Sequence, residues 1–191
     1  LVPGWTFSCD VFENQVEYFS KSNRVIAVDP RCHGRSTMTM LGYDHTTHAK
    51  DLVKLVNHLE LKDIILVGWS FGAYETWGII REVGVSNIKG LLNIDMSPKA
   101  LSTVEEDWVE GTIEEIAGIT LGIRSPEDMR NILSAYITEV MVQKKLSTDE
   151  LNSILDMSKT PYYIASAQYG VACYANYIAE AQLADSKIPC A

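Results

Sequence analysis

The apolar run Ile64-Ile65-Leu66-Val67 leads through Gly68-Trp69-Ser70-Phe71 into a helical pattern that begins at Gly72. A short β-branched run followed at once by a helix leaves the chain only a very tight turn between the two. The same alternation recurs on either side. Val25-Ile26-Ala27-Val28 ends at Asp29-Pro30, and Ile88 to Ile94 ends at Asp95. Between the first two runs, His45 to Leu59 carries Leu52, Leu55, Val56 and Leu59 at helical spacing, with Asp44, Thr46 and Thr47 near its start as caps. Gly72 to Val83 supplies the next helix, stopped around Gly84. Strands joined in this way by crossover helices specify an α/β architecture with a mostly parallel sheet. The unbroken apolar character of Val25–Val28 and Ile64–Val67 predicts strands buried on both faces.

After Ser97-Pro98 the pattern changes. Val104 to Ala117 and Pro126 to Lys145 read as helices, the second opened by Ser125-Pro126-Glu127 with proline in the first turn, and an apolar, aromatic segment follows from Pro161 to Leu183. The expected organisation is a core over residues 1–99, a helical lid over 100–184 and the start of a further core strand over 185–191, at Ile188-Pro189-Cys190-Ala191. Because Leu1 already reads as the end of a strand, the chain is expected to be an internal segment of a longer protein. A sheet cut at both edges would expose unpaired backbone and be poorly soluble alone.

A length of 191 residues suits one domain, and 47% hydrophobic with 21% charged residues is the balance of a globular chain with a real core. The net charge of -9 repels nucleic acid and anionic membranes at long range, so the expected partner is a small neutral molecule; oligomeric state is left open. No apolar run reaches the roughly 18 to 20 residues that span a bilayer, and the start lacks a basic-then-apolar leader, which points to the cytosol. Cys9, Cys32, Cys173 and Cys190 lie far apart, with no C-x-x-C pair. Reduced, mostly buried thiols are expected, with neither a metal nor an organic cofactor.

Gly68-Trp69-Ser70-Phe71-Gly72 is a G-x-S-x-G sequence set between strand and helix. In that setting the serine occupies a strained turn that exposes its hydroxyl, and Gly68 and Gly72 remove side chains that would collide with the neighbouring elements. Ser70 is the candidate nucleophile, and the Phe71 N–H, at the helix start, can face a developing oxyanion. Val2-Pro3-Gly4-Trp5, then Val28-Asp29-Pro30-Arg31-Cys32-His33-Gly34-Arg35-Ser36, then the Ser70 elbow stand in the order and approximate spacing of α/β-hydrolases. The chain resembles that superfamily over nearly all of residues 1 to 100. Asp95-Met96-Ser97-Pro98-Lys99, with Trp108 soon after, is similar to the branch containing cofactor-free haloperoxidases and small esterases. The resemblance implies that Pro3-Gly4 hold the place of the family's His-Gly pair and that the Trp5 N–H is the second oxyanion donor. It also marks Cys32 as a departure, since members usually read Arg-Gly-x-Gly-x-Ser there.

A serine hydroxyl needs an imidazole to take its proton and a carboxylate to orient that imidazole. The family order implied is serine, acid, histidine. Yet His33, His45, His48 and His58 all precede Ser70. His33 is expected to be a surface or loop-bracing residue, and the other three to be solvated on their helix. Asp95 is the candidate acid; a carboxylate that anchors the loop before Pro98 is an equal reading. The expected function is hydrolysis of a small carboxylic ester through an acyl-enzyme at Ser70. Perhydrolase or haloperoxidase chemistry, or non-catalytic ligand binding on the same fold, are the alternatives. Trp69, Trp77, Trp108 and the segment Tyr162 to Tyr177 are candidates for an acyl pocket or for plain core.

Overall fold

The first crossover is built as the apolar runs require. In the computed structural model, which describes residues 1–101 and 109–191, β1 (Ile64–Trp69) and β2 (Ile88–Ile94) pair in parallel, from Ile65 opposite Gly90 to Trp69 opposite Ile94. The helix α3 (Phe71–Val83) joins them, and every residue from Phe71 to Ile80 is buried. A helix apolar on all sides must be covered on all sides. The sheet covers one flank with Leu66 and Leu91, and α2 (His45–His58) covers another. The Asp44 side chain caps α2 by accepting from the Thr47 N–H.

Shorter extended segments continue the sheet on both sides. The Val2 N–H donates to the Val67 carbonyl at 2.8 Å and the Trp69 N–H to the Val2 carbonyl at 3.1 Å. Beyond Val2, the Leu1 amino group donates to the Ile26 carbonyl and the Val28 N–H to the Leu1 carbonyl. At the other edge Cys190 bridges Leu91 in parallel. Val25–Val28 is therefore a half-buried extended segment, not a strand buried on both faces, and β1 also departs from that expectation. Ile65, Leu92 and Ile94 share the face opposite α3, and Ile65 is 60% exposed. Leu92 and Ile94 are likewise exposed, so that face is left partly open among the described residues.

The second half is helical: α4 (Ile113–Gly122), α5 (Pro126–Tyr136), α6 (Thr148–Leu155), α7 (Tyr162–Ala172) and α8 (Ile178–Asp185). The expected helix from Pro126 to Lys145 stops earlier, passing into a π-helical turn over Ile137–Met141. The Pro161–Leu183 segment is two helices with a break between Ala172 and Ile178. Two helices had no counterpart in the sequence reading: α1 (Glu13–Phe19), which buries none of its residues, and α6, announced by the Ser147/Glu150 capping box. Trp108 and the early part of the helix expected from Val104 lie outside the described residues.

Two apolar clusters result. One surrounds α3 and the sheet; the other joins Phe7 to Ile123, Met129, Leu133, Ile137, Leu155 and Ala165 of the helical half. Trp5 packs against both, and its indole N–H donates to the Ala165 carbonyl at 2.8 Å. No helix among the described residues is long and apolar enough to cross a membrane.

Candidate active site

Ser70 sits at φ 52°, ψ −127°, a region that costs a non-glycine residue about 1 to 3 kcal/mol and persists only where its surroundings enforce it. The enforcement is visible. Its N–H donates to the Ile94 carbonyl at 2.8 Å, which ties the turn to the end of β2. A Cβ at Gly68 would lie 2.6 Å from the Gly72 carbonyl oxygen, and one at Gly72 would lie 2.3 Å from the Val2 carbonyl oxygen. Strand, turn and helix approach one another more closely than side chains at those positions permit.

Ser70 also occupies the N-cap position of α3, where serine ordinarily bonds to a free helix N–H. Here the side chain makes no cap bond, so the hydroxyl is not engaged by the helix it precedes. Among the described residues no main-chain acceptor is found for the N–H of Trp5 or of Phe71.

Ser70 and Phe71 border a cavity of about 140 Å³ in the seam between the two clusters. Trp5, Phe7, Trp69, Tyr136 and Tyr169 supply most of the wall, with Ile119, Ile132 and Leu133 from α4 and α5. The one charged lining residue among those described is Glu110. Burial, and then the nearby Asp95 carboxylate, push the Glu110 carboxyl above its ordinary range. Burial raises the Tyr136 phenol, with Asp95 and Glu110 adding to the effect. It raises Tyr169 to about 12. Asp95 itself is exposed, at φ 55°, directly after β2. No histidine is among the described residues that line this cavity. A larger hollow of about 390 Å³ lies between the 28–39 loop and α2, away from Ser70.

A family model described as the alpha/beta hydrolase fold matches residues 1–109. The chain belongs to the α/β-hydrolase family. It is 31% identical over 105 residues to a non-heme haloperoxidase of Rhodococcus erythropolis, covering 54% of this chain and 38% of that protein. It is 38% identical over 73 residues to a bifunctional esterase/perhydrolase of Acinetobacter calcoaceticus, covering 38% of this chain and 26% of that one. These matches span well under two thirds of the relatives' lengths. The solved structure of a bromoperoxidase from Bacillus anthracis superposes with a TM-score of 0.84 at 20% identity, covering 99% of this chain and 70% of that chain. At that identity the likeness is one of fold.

Within this α/β-hydrolase two histidines, His45 and His48, stand differently from expectation. His45 and His48 are buried, because residues 45, 48, 49 and 52 form the single face that α2 turns inward. His48 Nδ1 lies 2.7 Å from Glu75 Oε1, with both side chains enclosed. Burial opposes a charge on His48, but Glu75 prevails and raises its pKa. His33 is also buried, with Nδ1 3.0 Å from the Arg31 carbonyl and its ring edge-on to His48. Burial lowers His33 to about 4 and His45, packed against Phe71 and Tyr74, to about 3. Only His58 is exposed.

Cys32, the departure from the family pattern, adopts φ 64° and is fully buried, with its sulfur accepting from the Thr39 N–H at 3.3 Å. The side chain fills space that glycine would leave open. Cys190 is exposed, and Cys9 and Cys173 are half-buried, so the thiols are less enclosed than expected. Trp77 packs in the core against Tyr74 and Tyr177, whereas Trp69 and Tyr169 reach the cavity. Glu110, Tyr136 and Glu75 were not singled out in the sequence. Glu75 alone carried a signal, a carboxylate in the midst of an otherwise apolar helix.

Proposed function

We propose that the protein containing this chain hydrolyses a small carboxylic ester or related acyl substrate through an acyl-enzyme at Ser70. The observation that carries the reading is the conformation of Ser70: a strained N-cap serine whose hydroxyl makes no cap bond and borders the aromatic cavity. Ser70 Oγ attacks the ester carbonyl carbon while its proton passes to a base, and the tetrahedral oxyanion accepts hydrogen bonds from the Trp5 and Phe71 N–H groups. Collapse expels the alcohol, which takes up a proton, and leaves the acyl group on Ser70. Water then adds and releases the acid. If hydrogen peroxide adds instead, the product is a peracid, the route to perhydrolase or haloperoxidase behaviour that the names of its relatives support.

In this reading the base is a histidine that follows Ser70 in the whole protein, in the family order, and Asp95 serves as acid or as the anchor of its loop. The lack of an imidazole in the cavity lining favours one second reading, a pocket that binds a small ligand without turning it over. A fluorophosphonate probe separates the two when the whole protein and the 191-residue chain are treated side by side, with Ser70→Ala as control. Labelling of the whole protein that disappears in the Ser70→Ala variant is expected. A folded whole protein that is not labelled would sink the hydrolase reading.

A further inference from the structure

We propose that the cavity beside Ser70 selects small esters that carry a positively charged nitrogen, held by Glu110 and the surrounding aromatic faces while the ester carbonyl lies at Ser70. The ester half rests on the acyl-transfer reading; the cation half rests on the cavity itself. Trp5, Phe7, Trp69, Phe71, Tyr136 and Tyr169 all line it. The face of each ring carries the negative end of a quadrupole, which attracts an ammonium most strongly where water is excluded.

Rings alone would suit any apolar group. The difference is made by charge. Glu110 lines the same space, Asp95 stands close enough to perturb it, and neither lysine nor arginine is among the described lining residues. Among the described residues, burial and the Asp95 charge are what act on the Glu110 carboxyl, with no hydrogen-bond donor beside it. Glu110 lines the cavity while remaining exposed, and its carboxylate, repelled by a second one, lacks the counter-charge that a bound cation supplies. An anionic substrate meets the opposite situation, and the net charge of -9 adds a long-range bias in the same direction. Size agrees as well. A cavity of about 150 Å³ holds a molecule the size of benzene, so 140 Å³ suits a trimethylammonium head and not a long acyl chain.

The test compares choline with 3,3-dimethyl-1-butanol, which has the same shape but a carbon where choline has its charged nitrogen. Binding is read from the fluorescence of Trp5 and Trp69 in the wall. Choline is expected to bind about tenfold more tightly than the neutral alcohol, the ratio that a cation–π and carboxylate site of this kind provides. Glu110→Gln should remove most of that ratio. Tyr136→Leu should weaken choline more than its isostere, with circular dichroism confirming that both variants are folded. Ser70→Ala should keep the preference. Equal affinities, absent saturable quenching by choline, or a preference untouched by Glu110→Gln would each overturn the proposal even if Ser70 reacts with fluorophosphonate. A choline preference without labelling would leave the cation site standing and remove the hydrolase reading alone.

Discussion

The helix starts of the two halves are built on opposite plans. In the helical half, Thr112, Ser125 and Ser147 each accept a hydrogen bond from a free helix N–H, and Thr112 and Ser147 complete capping boxes with Glu115 and Glu150. At the start of α3 stands another serine, which makes no such bond and is held at φ 52° instead. Local chemistry secures the first group. The second is secured by packing, in which Gly68, Gly72, Val2 and the end of β2 leave the chain no other course. A helix start that keeps its hydroxyl unused has a side chain to offer, and its strain must be met by contacts elsewhere.

The comparison can be broken most severely at the glycines. Gly72→Ala drives a Cβ against the Val2 carbonyl and should cost about 4 kcal/mol or more, enough to abolish folding of a marginal chain. Gly118→Ala, in α4 with open space around it, should stabilise by about 0.5 to 1 kcal/mol. Urea unfolding of the two variants measures both. Equal effects would mean that the turn at Ser70 is no more tightly enforced than α4.

Next in size is the buried His48–Glu75 pair under the elbow. Glu75→Ala leaves His48 enclosed without its partner and should cost about 3 kcal/mol, read as a lower urea midpoint. A change below about 1 kcal/mol would show that the pair contributes little to holding α2 on α3.

The imidazoles also set a pH dependence. His33 and His45 have folded pKa values near 4 and 3, below their ordinary 6.5. Between 6.5 and those values the unfolded chain binds the more protons, so stability falls as the pH drops through that window, by up to about 1.4 kcal/mol per pH unit for each group. His48, raised by Glu75, has the opposite sign: its contribution is full below the ordinary histidine value and is lost as pH rises through its raised one. Two groups against one predict a net loss of stability from about pH 7 to about pH 4.5, measurable by urea melts. Stability that is flat or rises on acidification would contradict the enclosure of His33 and His45.

The smallest effects sharpen the contrast between the serines. Ser147→Ala should cost about 1 kcal/mol through the lost cap. Ser70→Ala should cost less than about 0.5 kcal/mol, because no cap bond is removed, although it abolishes labelling. A larger thermal shift for Ser70→Ala would mean that its hydroxyl has a structural partner.

How much of this was legible in the chain follows the same division. The elbow was readable because an apolar strand, G-x-S-x-G and a helix follow within a dozen residues, and α2 because its apolar spacing and Asp44 cap are local. The C-terminal end of α5 and the break before Ile178 were not, since a π-helical turn and a packing-driven break leave no pattern of period 3.6 to find. His45 and His48 read as solvated in the sequence because a histidine is polar wherever it stands; their burial comes from the face that α3 covers.

By itself the sequence determined the alternation of strand and helix, the G-x-S-x-G turn at Ser70 and the capped starts of the helices in the second half, all consequences of residues within a few positions of one another. Only the tertiary structure decided which histidines are enclosed, which aromatic residues leave the core for the cavity, and that Glu110 and Ser70, 40 positions apart, line one cavity. Those outcomes depend on how far apart in the chain the facing surfaces lie. Solvation and charge at a point in space are set by every element that reaches it, and no local pattern records which elements those are.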